Sequence, residues 1–173
     1  MTLGIAGLPT FAQGGAVHVV VETPAGSRIK FKFDSQSGVF MMHKALAQGF
    51  AMPFPFGFIP GTKGGDGDPL DAMLITTLQP PMGAVTEAIV IGALMVEQSE
   101  SGGPAVRNDR FLVLPKVEHG DRNIASVDDL PPAEVEDLEQ FFIQSGERDG
   151  KQVRMLGRAG PEKAMSLVKA GRT

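Results

Sequence analysis

The chain has 173 residues, which is the size of one domain with a proper core. Sixteen basic residues against twenty acidic ones give a net charge of −4, and no basic run stands out, so general nucleic-acid binding is excluded. There is no cysteine, which excludes disulfides and thiolate metal sites and fits a reducing cytoplasm.

Residues 1–16, MTLGIAGLPTFAQGGA, are apolar but lack a positively charged leader region. They read as an N-terminal arm rather than a signal peptide, with a single domain over 17–173. Residues 17–22, VHVVVE, are β-branched and strand-like. After the turn TPAG, residues 28–34, RIKFKFD, alternate: Ile29, Phe31 and Phe33 share one face, Lys30 and Lys32 the other, as on a barrel strand. GVFMMH is a third predicted strand. The Pro-, Gly- and Phe-rich stretch GFAMPFPFGFIPGTKGGDGDP is too apolar for a linker and reads as an irregular ordered loop.

DAMLITT and AVTEAIVIGALMVE read as core strands. The second is too short to span a membrane and carries Glu87, so no membrane partner is expected. SESGGPAVRND is a loop and RFLVLP a strand. LPPAEVEDLEQFFIQSGER is the clearest helix, with Val135, Leu138, Phe141 and Phe142 as its apolar stripe. KQVRMLG is a short strand, and GPEKAMSLVKAG a final helix that starts near Pro161 and stops at Gly171. Strands followed by helices predict an α+β fold, a β-barrel with helices packed against it.

The stretch GGDGDPLDAMLI (64–75) places Asp66, Asp68 and Asp71 within six positions, on the lip of a buried strand. Carboxylates this close need a hard metal ion, a basic partner or solvent between them. A plain turn is the bland reading, since Gly, Asp and Pro are common turn residues. An EF-hand fails: counted from Asp66, the sixth position is Asp71 and the twelfth Thr77, where glycine and glutamate are required. With only three histidines, none at ligand spacing, zinc is disfavoured. Oxygen ligands favour Mg²⁺, Mn²⁺ or Ca²⁺. Mg²⁺ in particular completes its shell with water and substrate phosphate, which then needs cations nearby; Lys30, Lys32, Lys44 and Arg110 are the candidates, each otherwise read as a solvated surface charge.

DGDPLDAM resembles the Asp-x-Asp-Pro-x-Asp signature of the soluble (family I) inorganic pyrophosphatases. VVVETPAGSRIKFKFD, SGVFMMHKAL, PFGFIPGT, FLVLPKVEH and VDDLPPAEVEDLEQFF follow in that family's order and spacing. The resemblance implies a five-stranded OB-like closed β-barrel with flanking C-terminal helices. It implies Mg²⁺-dependent hydrolysis of pyrophosphate, with Mn²⁺ as a substitute metal, and a homo-oligomer, hexameric in bacterial relatives. By position, Asp66, Asp71 and Glu22 match metal-binding acids, and Asp68 matches the acid that deprotonates the nucleophilic water. Lys30, Lys44 and Arg110 match phosphate-binding cations, although Lys44 stands where arginine is common and Arg110 where lysine is usual.

Six further positions depart from the pattern. Lys32 replaces a glutamate, Asn108 a metal-binding aspartate and Phe56 a tyrosine, as Phe58 also does. Ser145 and Gly146 replace a Tyr-Lys pair. Asp109 neighbours Asn108 but should point to the opposite face. Gln98 stands near the place of another acid, between Glu97 and Glu100. These departures mark a divergent member and leave two expectations: hydrolysis of pyrophosphate with reduced or altered activity, or, as the alternative, a catalytically impaired pyrophosphatase-fold protein that binds a phosphate ligand or a partner subunit.

Overall fold

The computed structural model describes residues 4–173; the first three residues of the expected N-terminal arm lie outside the described residues. Before the first strand the chain makes two 3-10 turns, Ile5–Gly7 and Gln13–Gly15. Among the described residues nine strands follow: β1 (Val17–Thr23), β2 (Ile29–Asp34), β3 (Val39–Ala45), β4 (Phe56–Ile59), β5 (Leu70–Leu74), β6 (Val85–Glu100), β7 (Val106–Arg107), β8 (Arg110–Pro115) and β9 (Lys151–Ala159). Helix α1 (Lys116–His119) follows β8, α2 (Pro132–Arg148) precedes β9, and α3 (Pro161–Ala170) is last.

Five strands close into a ring in the order β1-β4-β5-β8-β6, with β6 pairing β1 to complete it. Among these pairs only β5–β8 is parallel. Closure removes exposed sheet edges. β6 is sixteen residues long because it serves several neighbours: β1 at its start, β8 in its middle, β7 and β9 along its far half. Val, Ile, Leu and Phe dominate these strands, and alternate residues feed two cores. One joins all five ring strands (Val19, Ile59, Leu74, Val90, Phe111) to Ala164 and Val168 of α3. The other packs Met73, Leu94 and Leu112 against Val135, Leu138 and Phe142 of α2. The α+β barrel with C-terminal helices is therefore present as the sequence predicts.

Three expectations need correction. Residues 28–34 do form a strand, but among the described residues β2 pairs only with β3, in a separate two-stranded sheet outside the ring. The alternation marks a strand without naming the sheet it joins. Side chains tether this hairpin to β1 instead: the Phe31 N–H donates to Thr23 Oγ1 at 3.0 Å and the Phe33 N–H to Glu22 Oε1 at 2.7 Å. Second, the apolar "loop" contains the barrel strand β4, which the surrounding prolines and Gly57 hide from a propensity reading. Third, the predicted loop at 99–109 holds the end of β6 and all of β7, and β9 runs two residues past its expected end.

Candidate active site

The mouth of the barrel opens into a cavity of about 550 Å³. The β2–β3 hairpin, the loop before β5, the start of β8 and the far end of α2 with β9 contribute its walls. The acidic wall comes first. Asp66 and Asp68 sit in the loop, where the Asp68 N–H donates to Asp66 Oδ1 at 3.1 Å and the Gly64 N–H to the Asp68 carbonyl at 2.7 Å. Gly67, between them, holds φ +89°, a left-handed conformation that suits glycine and lets the chain fold back so tightly. Asp71 follows on β5, paired with Arg110 of β8 in the parallel ladder. Glu22, 7% exposed on β1, completes the wall.

The cationic groups face the same space. Lys30 places its Nζ 4.7 Å from the centre of the Phe56 ring. Arg110 is buried, with its guanidinium 5.9 Å from the Phe56 ring and 5.2 Å from that of Phe142. Phe56 thus offers its negative ring faces to two cations. Arg110 Nη1 donates to Asp71 Oδ2 at 2.5 Å and to the Asn108 carbonyl at 2.9 Å, and also to Asn108 Oδ1. Its buried Nε has no hydrogen-bond partner among the described residues. Lys32 Nζ donates to Asp68 Oδ2 at 2.5 Å, and Lys44 Nζ donates to Asp149 Oδ2.

Every site residue named from the sequence therefore lines one cavity, including Ser145 and Gly146 near the end of α2. Asn108 and Gln98 line it as well, whereas Asp109 is turned away, accepting from the Val96 N–H at 2.9 Å and pairing with Arg107. Glu97 and Glu100 are engaged with Arg154 and Lys151. Sequence reasoning passes over Asp149 and Lys151 and reads His43 as a structural or surface residue; all three also line the cavity. Asp149 meets Lys44 across 105 residues of chain, so no local pattern carries the signal.

The charges shift one another. Burial pushes the Glu22 carboxyl up to about 7, against the Phe33 N–H bond that lowers it, with the Asp71 charge adding to the rise. Burial also lowers the Lys30 ammonium, opposed by Asp71. Asp66 is raised by desolvation and by the charges of Asp71 and Asp68, despite its bond from the Asp68 N–H. Burial acts to lower Lys32, but its bond to Asp68 prevails and raises it. Among the described residues, Glu22 and Asp66 are thus carboxylates held without a cationic hydrogen-bond partner, and all the donors are oxygens. That chemistry fits a hard divalent cation. Among the described residues, no three acidic or histidine side chains already converge as a metal cage; Mg²⁺ sites of this type are completed by water and substrate.

The family model for inorganic pyrophosphatase matches residues 19–173. The chain belongs to this family. It is 34% identical over 155 residues to an inorganic pyrophosphatase of Sulfolobus acidocaldarius, covering 88% of this chain and 87% of that one. It is 30% identical over 161 residues to that of Synechocystis sp., covering 93% and 92%. The crystal structure of the inorganic pyrophosphatase from Thermus thermophilus superposes with a TM-score of 0.87 at 26% identity, over 97% of this chain and 96% of that one. The pyrophosphatase match contains every cavity residue named above, and among the described residues only Ile5 and Ala6 line the cavity from outside it. Among the described residues, no helix is long and apolar enough to cross a membrane.

Proposed function

We propose that this chain hydrolyses inorganic pyrophosphate to two phosphates in this cavity, with Mg²⁺ as its metal and Mn²⁺ as a substitute. The observation that carries the reading is the meeting of four carboxylates with Lys30, Lys44 and Arg110 in one cavity, inside the segment that matches the family. Asp66, Asp71 and Glu22 would hold the metal. When bound, such ions lower the pKa of an attacking water and neutralise charge on the phosphoryl oxygens. Asp68, on the loop side of the acidic wall, accepts the proton that the water gives up as its oxygen bonds to phosphorus. The bridging P–O bond breaks and its electron pair leaves with the second phosphate. Lys30, Lys44 and Arg110 bind the phosphoryl oxygens and fix their orientation; the partnerless Nε of Arg110 leaves a guanidinium donor unused by the described residues.

Phosphate release from pyrophosphate in the presence of Mg²⁺ tests this reading, with a panel of other phosphoanhydrides to locate the preferred substrate. Release should stop when metal is chelated. No release from any member of the panel would leave a phosphate-binding relative of the enzyme. The resemblance also extends to a hexamer. It is supported by Val39, Met41 and Met42, which lie exposed on β3 at 46%, 55% and 68% and would be covered by a second copy. A single-chain mass in light scattering would reject that extension.

A further inference from the structure

The four carboxylates of the acidic wall are of two kinds. Among the described residues, Glu22 and Asp66 accept hydrogen bonds only from backbone, from Phe33 and Asp68. Asp68 and Asp71 each hold a side-chain cation at 2.5 Å, Lys32 and Arg110 respectively. Arg110 stands where the family resemblance already places a cation. Lys32 stands where it places a glutamate, so the charge at this point is reversed. The position of Lys32 is fixed: the neighbouring Phe33 N–H is bonded to Glu22, and Phe31 to Thr23, which pins β2 to the acidic wall on both sides of the lysine. An ammonium is a compact point charge, and here it is bonded to Asp68 on the same wall as the three carboxylates that would hold the metal. Lys44, which also lines the cavity, is paired with Asp149 rather than with a carboxylate of the acidic wall.

We propose that the Lys32 ammonium takes the place of one divalent cation at the acidic wall, so that the cavity holds one metal ion fewer than it would with glutamate at this position. Lys32 is then a positioning residue: it holds Asp68 in place and supplies a charge that cannot dissociate. This inference rests on the pyrophosphatase reading for the placement of the metals, but its test does not depend on turnover. The pair is half-exposed, at 43% and 48%, so the fold does not depend on it.

Mn²⁺ binding to the full chain, counted by calorimetry and by the spin-resonance signal of the free ion, is compared for wild type, Lys32→Glu and Lys32→Met. Lys32→Glu should bind one Mn²⁺ more per chain than wild type. Lys32→Met, which only removes the charge, should tighten Mn²⁺ binding about tenfold or more, the scale of a like charge removed from a partly exposed site. Equal stoichiometry in wild type and Lys32→Glu overturns the proposal. Should Lys32→Glu fail to fold, Lys32→Met decides alone, and unchanged affinity overturns it. A chain that turns over pyrophosphate but gains no ion refutes only the role of Lys32. One that gains the ion but releases no phosphate refutes only the proposed activity.

Discussion

Glu22 shows how a single side chain can link the barrel to its cavity. Its carboxyl is buried on β1, bonded to the Phe33 N–H at 2.7 Å, and raised by burial from 4.5 to about 7. The folded state therefore holds its proton more tightly than the unfolded chain. The stability this contributes is fully present below about pH 4.5 and is lost as pH rises through about 7. The loss is roughly 3 kcal/mol, because each tenfold difference in proton affinity between the two states is worth about 1.4 kcal/mol. Denaturant unfolding of metal-free protein at pH 5 and pH 8 should show wild type losing about that much relative to Glu22→Gln, and Mg²⁺ at pH 8 should restore it. Parallel pH profiles for the two proteins would exclude this role. At this scale the sequence is informative where residues cluster: the three aspartates raise the question of a cation by themselves. It is silent on Asp149 and Lys151, because the bond of Asp149 to Lys44 and the place of Lys151 in the cavity wall exist only after α2 and β9 have packed.

Elements are legible where their period is strong. The stripe of α2 is found at Val135, Leu138 and Phe142, buried as its spacing requires. β4 is lost among prolines, and β2 is recognised as a strand but given to the wrong sheet, because alternation carries no information about pairing partners. Gly146 is read from sequence only as a missing phosphate-binding lysine. The structure gives it a packing reason: it is buried in α2, and a Cβ there would run into Val153 Cγ2 of β9. Gly146→Ala should therefore destabilise the protein by about 1–3 kcal/mol, the usual scale of overpacking. Val153→Ala in the same chain should recover much of this, as a double-mutant cycle by denaturant unfolding would show. Additive effects would place the strain elsewhere. The same contact means that a lysine cannot be restored at 146 without also changing Val153.

For the whole molecule, the class of fold follows from the run of strands and the closing helices, whereas the order β1-β4-β5-β8-β6 does not. That order rests on pairings between distant segments, including the parallel β5–β8 ladder that sets Asp71 beside Arg110. Closure of the ring and the tethered hairpin together bring residues as far apart as Glu22 and Lys151 around one cavity, which is why resemblance over the whole chain is more informative than any single motif. The most direct measurement is the initial rate of phosphate release from pyrophosphate with Mg²⁺, for wild type and Asp68→Asn side by side. The exchange keeps the size of the side chain and breaks only a half-exposed ion pair, so both proteins should unfold at similar denaturant concentrations. If Asp68 takes the proton from water, kcat falls at least about 10²-fold, in the range expected for losing a positioned general base. Asp68→Asn turning over at the wild-type rate, in a preparation where chelation still abolishes release, would contradict the assignment.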